Sequence, residues 1–315
     1  RAEPKEEKSI DLIEKNEVYG DTRHEVSVYV KVFANSPFLV CMDLALSQER
    51  IIDPNYLWIG PDGRNLQGQE YVNLTETGKL MVMGFKVSMT GAYSCTLSHK
   101  VIETTTQEEK EIVEAYKFMV YAYREADHDY QVSARFSTLH CRLKNNSFFL
   151  EALHKILSAT ISHLTCRITQ WSHKCHSIRT PRNGLQHELF VHFRVNPFAP
   201  GWEEACQEVP YDCQDVTNRR ARQAAEQIGK FFRQLRHILK KEFHIVPTIQ
   251  YVDNSFSMAP IDSCQPGFGR NHHTHQNCAS CCVVCDPGTY SPNNEVTCQT
   301  CASPQATEYG AKSCH

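Results

Sequence analysis

Two features common in other classes of protein are absent from this 315-residue chain. It has no run of about 18 apolar residues, so we predict no transmembrane helix in the printed sequence. It also has no strong charge of either sign, with 33 lysines and arginines against 36 aspartates and glutamates. A near-neutral balance gives no indication of a nucleic-acid partner.

The chain also lacks the sequence signatures of common enzymes. It has no Gly-x-Ser-x-Gly nucleophile elbow, no phosphate-binding loop and no dinucleotide-binding fingerprint. The segment from His187 to His192 resembles a zinc-protease motif, but its two histidines are five residues apart instead of four. It also has the alternation of a strand, not a helix. We therefore predict a protein with no catalytic residues, no cofactor and no bound metal.

What the chain does have is fifteen cysteines, distributed unevenly. Cys41 and Cys95 lie far apart, and eight others crowd into residues 264–315. Such a distribution is typical of secreted proteins in an oxidising compartment. Because fifteen is odd, at least one thiol has no partner within the chain, and we expect that thiol to be a candidate for disulfide-linked association with another chain.

Two sequons for N-linked glycosylation begin at Asn73 and Asn145. In a secreted chain such tripeptides mark surface loops that carry glycans. The alternative is that both tripeptides occur by chance. We predict glycosylation at both asparagines.

Changes in periodicity divide the chain into four predicted ranges. Residues 1–19 are charged and aperiodic, which predicts a flexible arm. Residues 20–125 alternate as strands do, and residues 126–263 alternate between strand and helix periods. Residues 264–315 have almost no apolar core and must be held together by disulfides.

The first periodic range has the markers of an immunoglobulin-like sandwich. A disulfide between Cys41 and Cys95 would join its two sheets, and Trp58 would pack on that bond. Tyr93, two residues before the second cysteine, fits a tyrosine corner. An unrelated all-β domain with the same order of residues is the alternative. A polar stretch from Ser98 to Lys110 is a candidate binding surface.

The second periodic range has the element order β-α-β-β-α-β. This order predicts a ferredoxin-like split βαβ domain, with two helices on one face of a four-stranded sheet. Its second helix, from about Thr217 to Phe243, carries a basic face that includes Arg219, Arg220, Arg222, Lys230, Arg233, Arg236, Lys240 and Lys241. The favoured interpretation is an ordinary solvated face. The alternative is a surface for an anion or a sulfated glycan, in which Arg233, Arg236 and Lys240 are the candidate binding residues.

Five cysteines fall in this second range, and their pairing is open. Cys206 and Cys213 bracket a short loop and could pair. Cys166 and Cys175 could join a hairpin. Cys141 would then be left over, either free or bonded to the tail.

The tail resembles the EGF-like modules of extracellular proteins. Its C-x-x-C spacings also fit zinc ligation, but the upstream sequons and predicted sheet-to-sheet disulfide favour disulfides. We expect the histidine run of His272, His273 and His275 to be exposed and flexible.

Several specific strings resemble the zona pellucida-binding protein family of sperm over most of the chain. They are Tyr56-Leu-Trp-Ile-Gly60-Pro, Thr106-Gln-Glu-Glu-Lys110, Tyr121-Ala-Tyr-Arg-Glu125, Val195-Asn-Pro-Phe-Ala-Pro-Gly-Trp202, Pro266-Gly-Phe-Gly269, Asn277-Cys-Ala-Ser-Cys-Cys-Val-Val-Cys285 and Tyr309-Gly-Ala-Lys-Ser-Cys314. The match is closest to the second of two paralogous forms.

The resemblance implies a protein of the sperm acrosome lumen that binds zona pellucida glycoproteins and contributes to acrosome assembly. It supplies no catalytic residues. The alternative function is purely structural. In that reading the protein is an acrosomal-matrix component that contacts stored proteases without binding the egg coat.

Overall fold

The computed structural model describes residues 16–142, 144–206, 213–235, 249–271, 273–292, 297–302 and 307–314. The chain forms two compact units. Unit 1 takes its residues from Arg1–Glu125, Gly267–Pro292 and Thr297–His315, and unit 2 takes most of its residues from Ala126–Pro266. The first unit therefore combines the predicted sandwich with most of the predicted tail.

The first part of unit 1 is a two-sheet β-structure with one short helix, α1 (Leu44–Ser47). Its strands are β1 (Glu17–Tyr19), β2 (Val26–Lys31), β3 (Phe38–Val40), β4 (Ile52–Ile59), β5 (Val72–Leu74), β6 (Leu80–Val82), β7 (Gly91–Ile102) and β8 (Glu109–Arg124). The smaller sheet has the order β1-β3-β6-β5. The larger sheet contains β8, β7 and β4 in that order, with β2 parallel to β8.

The centre of this sandwich contains the three predicted markers. Cys41, just after β3, forms a disulfide with Cys95 of β7, and neither residue is exposed. The buried Trp58 donates a hydrogen bond from Nε1 to the carbonyl oxygen of Gly78 at 2.9 Å. The Tyr93 hydroxyl donates to the carbonyl oxygen of Met89 at 2.6 Å, which is the tyrosine corner. The predicted immunoglobulin-like sandwich is confirmed.

Strand β1 lies inside the range predicted to be a flexible arm. It runs parallel to β3, with Glu17 opposite Phe38 and Tyr19 opposite Val40. Glu17 also forms an ion pair with Lys79. The prediction was wrong for residues 17–19, because three residues are too few to show a strand period but are enough to extend a sheet edge.

Unit 2 is an antiparallel sheet with helices on one face. Its strands are β9 (Asp127–Thr138), β10 (Arg167–Thr180), β11 (Gly184–Asn196), β12 (Ile249–Tyr251) and β13 (Ser257–Ser263). Its helices are α2 (Lys144–Ile161), α3 (Trp202–Cys206) and α4 (Gln214–Arg233). The strand order is β10-β11-β9-β12, with β13 also beside β9, and all neighbours are antiparallel.

The core of unit 2 lies between the sheet and the two long helices. The apolar side chains of α2 and α4 repeat at helical spacing, so each helix buries one stripe. They pack on one face of strands β9 and β11 to form the cluster Val132, Ala134, Phe136, Leu153, Leu157, Ile161, Val191, Phe193, Ala221, Ala224, Ile228 and Phe232.

The C-terminal part of unit 1 extends the larger sheet of the sandwich. Its strands are β14 (Phe268–Gly269), β15 (Cys282–Val284), β16 (Thr289–Tyr290) and β17 (Gln299–Thr300). Strand β15 is antiparallel to the end of β8, with Val283 opposite Tyr123, and β14 pairs with β15. Phe268, Val283 and Val284 are buried. Docking on the sandwich therefore supplies the apolar contacts that the tail sequence lacks.

Short 3-10 turns complete the described structure. They span Val87–Met89, Ser162–Leu164 and Gln276–Cys278.

Candidate functional site

One face of the unit 2 sheet is not covered by the helices that the structure describes in that unit. Helices α2 and α4 pack on the face that carries Val132, Val191 and Phe193. Successive side chains of a strand point to opposite faces, so Phe190 and His192 of β11 point away from the helices. We take this open face as the candidate site.

A cleft of about 330 Å³ lies on the open face where β10 and β11 run side by side. It is lined by Ser172, His173, Lys174, His176, Phe190 and His192. Lys174 lies directly opposite Phe190 in the strand register. The ring of Phe190 is 40% exposed, so it is a large apolar group that the core does not use.

The electrostatics of the cleft favour an anionic ligand. Its described lining residues include one lysine and three histidines and no carboxylate. The acid nearest to them in the register is Glu188, opposite His176. Arg135 donates a hydrogen bond to the Glu188 carboxylate at 3.3 Å, so that negative charge is already compensated.

Of the three predicted ligand-binding residues on the basic helix, the structure describes only Arg233. It is exposed at the end of α4, while Arg236 and Lys240 lie outside the described residues. Arg219, Arg222 and Lys230 of the same helix are also exposed. The three residues remain a predicted binding group.

Arg220 was predicted to lie on the exposed basic face, and that prediction was wrong. The residue is 9% exposed. Its Nη1 donates hydrogen bonds to three carbonyl oxygens, of Leu164 at 3.0 Å, Thr165 at 3.2 Å and Pro197 at 3.0 Å. The guanidinium therefore joins the loop before β10 to the turn after β11.

The polar stretch from Ser98 to Lys110 forms the end of the β-hairpin made by β7 and β8. Strand β7 continues to Ile102 and β8 begins at Glu109, so only residues 103–108 form the turn. Lys100 lies 3.6 Å from a carboxylate oxygen of Glu109. Paired charges and a continuous strand register explain why a polar sequence extends the sheet here.

Both predicted glycosylation sites are at exposed positions. Asn73 lies in β5, at the edge of the smaller sheet of unit 1. Asn145 lies in the first turn of α2. Glycans at these positions remain a prediction.

The predicted cysteine pairing in unit 2 was partly wrong. Cys206 and Cys213 are bonded as expected, but Cys141 pairs with Cys175 instead of being left over. All fifteen cysteines lie among the described residues, and Cys166 is the only free one.

The free thiol is poorly placed for a bond to another chain. Cys166 is 3% exposed, and burial raises the pKa of its thiol to about 12. A protonated, buried thiol does not react readily. The expected disulfide-linked association through the spare thiol is therefore not supported by this fold.

The histidine run of the tail is not uniformly exposed as predicted. His273 is exposed, His272 lies outside the described residues, and His275 is 3% exposed. The Tyr29 hydroxyl lies 2.8 Å from Nδ1 of His275, and the Tyr121 ring packs edge-on against the imidazole. Burial lowers the pKa of His275. This histidine is one of the contacts that hold the tail on the sandwich.

The tail cysteines form disulfides, as the sequence favoured. Three bonds join Cys278 to Cys281, Cys285 to Cys298, and Cys301 to Cys314. In the described part of the chain, no three His, Cys, Asp or Glu side chains are arranged to hold a metal ion. None of the described helices is long and apolar enough to cross a membrane.

Asp129 of β9 is an unexposed acid in unit 2. Its carboxylate accepts hydrogen bonds from the Asn196 amide at 3.2 and 3.3 Å. Burial nonetheless raises the pKa of Asp129 to about 6. Charging this side chain at neutral pH therefore opposes folding.

We expect Asp129 to make unit 2 more stable as the pH falls from 7 to 4. Between those values the folded chain binds a proton that the unfolded chain does not, so the free energy of unfolding rises by about 2 kcal/mol. Asp129→Asn is expected to remove this rise, measured by urea unfolding at several pH values. Asp215→Asn, at an exposed position of α4, is the control. A wild-type-minus-variant difference that stays constant with pH would contradict this reading.

Comparison with known proteins places the chain in a family. Residues 25–124 match the zona-pellucida-binding protein (Sp38) N-terminal Ig domain, and residues 264–315 match the C-terminal EGF-like domain of the same family. Zona pellucida-binding protein 2 of Gallus gallus is 57% identical over 315 residues, which is all of this chain and 90% of that protein. The chain belongs to the zona pellucida-binding protein family.

The two paralogous forms of the family differ in their similarity to this member. Zona pellucida-binding protein 2 of Rattus norvegicus is 48% identical over 94% of this chain and 90% of its own length. Zona pellucida-binding protein 1 of Mus musculus is 33% identical over 94% of this chain and 82% of its own length. The predicted kinship with the second paralogue is confirmed.

The cleft on β10 and β11 was missed by sequence reasoning. The alternation of β11 places Phe190, His192 and Arg194 on the face opposite the core. The available signal was an aromatic residue on the polar face of a strand. That signal does not identify a binding site by itself. The site is recognisable only from the strand register, which places Lys174 opposite Phe190.

Proposed function

We propose that this family member is a non-enzymatic secreted protein of the sperm acrosome that binds egg-coat glycoproteins and contributes to acrosome assembly. The observation that carries the proposal is similarity over at least 94% of this chain to proteins named Zona pellucida-binding protein 2 in three species. The disulfide framework supports a secretory, oxidising compartment. Immunoglobulin-like and EGF-like domains supply rigid surfaces, as a binding protein requires.

We further propose that unit 2 is a ferredoxin-like domain. Its element order and its antiparallel strand order β10-β11-β9-β12 support this assignment. Such a frame leaves the sheet face opposite the helices available for binding. The exposed helix face around Arg233 is a second candidate surface.

The decisive experiment is equilibrium binding of the oxidised, glycosylated chain to solubilised egg-coat glycoproteins. We expect saturable binding that is lost when the disulfides are reduced, because reduction removes the covalent frame of unit 1. Circular dichroism of the oxidised chain verifies its fold in the same buffer.

The absence of binding by a folded, oxidised chain would overturn the egg-coat proposal. The function would then be structural, within the acrosomal matrix and in contact with stored proteases. Cross-linking to matrix proteins before and after exocytosis would test that role.

A further inference from the structure

We propose that the cleft on β10 and β11 binds a sulfated saccharide carried by egg-coat glycoproteins. The inference rests on the proposed function, because it names the part of the glycoprotein that is recognised. It also assigns recognition to the open sheet face of unit 2, not to the basic helix.

The exposed ring of Phe190 suits stacking against a sugar. Apolar groups this large are normally buried, and this ring stands among polar side chains in a concave surface. The faces of aromatic rings carry partial negative charge. One face of a pyranose ring presents C–H bonds with partial positive charge, so it stacks well on such a ring.

Polar and basic side chains surround that ring. Lys174 lies opposite Phe190, while His176 and His192 each lie two residues along a strand from this pair. Positions two residues apart on a strand are about 7 Å apart, so these groups surround a space the size of one sugar. Lys174 has no ion-pair partner among the described residues, and its charge is free to meet a ligand.

The kinds of donor in the cleft favour a sulfate over a carboxylate. A carboxylate is best bound by the planar, two-pronged donor of arginine. The described lining of the cleft instead has separate single donors, namely the Lys174 ammonium and the imidazole N–H groups of His173 and His176. The Ser172 hydroxyl donates to the carbonyl oxygen of His192 at 3.3 Å, and Nε2 of His192 lies 2.5 Å from the side-chain nitrogen of Gln131, so these two groups are already engaged. Donors that approach from different directions suit the three exposed oxygens of a sulfate ester.

The size of the cleft predicts a weak, repeated contact. A volume of about 330 Å³ is at the lower end of the range for small-molecule sites. It accommodates one or two sugar rings, not an extended chain. Useful adhesion then requires many copies of the protein facing many glycans.

The test titrates the full oxidised chain with 6-sulfo-N-acetyllactosamine, its unsulfated parent and sialyl-N-acetyllactosamine. We expect the sulfated compound to bind best. Phe190→Ala and Lys174→Glu should each weaken that binding about tenfold or more, while Phe190→Tyr, which keeps the ring, should retain it. Phe148→Ala and Lys155→Glu change exposed residues of α2 and are matched controls.

Each outcome separates this inference from the proposed function. If the wild-type chain binds egg-coat glycoproteins but Phe190→Ala and Lys174→Glu bind them equally well, the cleft assignment is wrong and the proposed function stands. If the unsulfated or the sialylated compound binds as tightly as the sulfated one, the sulfate assignment is wrong. If the wild-type chain binds the sulfated compound but not the egg coat, the cleft assignment stands and the proposed function fails.

Discussion

Replacement of both Cys41 and Cys95 by alanine is expected to abolish secretion of folded chain. The bond closes a loop with a sequence separation of 54 residues, and its loss costs about 4 kcal/mol through the entropy of the unfolded chain. The adjacent Trp58 also loses a packing partner. Such a cost is a large part of the total stability of a typical domain. The measurement is the amount of chain in the medium of transfected cells, compared with the amount retained inside.

The matched control removes a disulfide that closes a much shorter loop. Cys206→Ala/Cys213→Ala opens a loop with a separation of 7 residues, for which the same entropy argument gives about 2–3 kcal/mol. We expect this variant to be secreted at a reduced level. Normal secretion of the Cys41→Ala/Cys95→Ala chain would show that the sandwich does not depend on its sheet-to-sheet bond.

Arg220→Ala is expected to destabilise unit 2 by about 3 kcal/mol or more. Three carbonyl oxygens lose a charged donor at once, and a buried acceptor without a partner keeps its full desolvation cost. The free energy of unfolding in urea measures this loss. The wild-type chain and the variant are compared at equal pH and salt.

The control for Arg220 is its exposed neighbour on the same helix. Arg219→Ala removes an equal charge from solvent and should change the stability by less than about 0.5 kcal/mol. Arg220→Lys should recover only part of the loss, since an ammonium does not have the fork geometry of the guanidinium. Equal effects of Arg220→Ala and Arg219→Ala would mean that the three carbonyl bonds contribute nothing to stability.

The sandwich could be predicted because its markers are local and chemically distinctive. A tryptophan between two distant cysteines, with a tyrosine two residues before the second, identifies both the sheet-to-sheet bond and the corner that supports it. The alternation of β9 and β11 was equally visible, since each strand buries every second side chain. Such patterns depend on neighbours along the chain, which a sequence displays directly.

The features that could not be predicted depend on contacts between distant residues. The periodicity of α4 does not distinguish Arg220, which reaches backbone oxygens near Leu164 and Pro197, from Arg219, which faces solvent. The pairing of Cys141 with Cys175 requires the end of β9 to lie near β10 in space. In the sequence, the whole of helix α2 separates these two strands. The cleft requires the register of two strands. No local pattern encodes any of these three facts.

The pairing of β15 with β8 can form only late in the synthesis of the chain. The residues of β15 leave the ribosome about 160 positions after Arg124, and most of unit 2 is made in between. Domains generally fold as they emerge. We therefore expect unit 2 to fold while the end of β8, at Tyr123 and Arg124, is not yet paired with β15. An unpaired strand edge can pair with another chain, so we expect the nascent protein to be most prone to association during this interval.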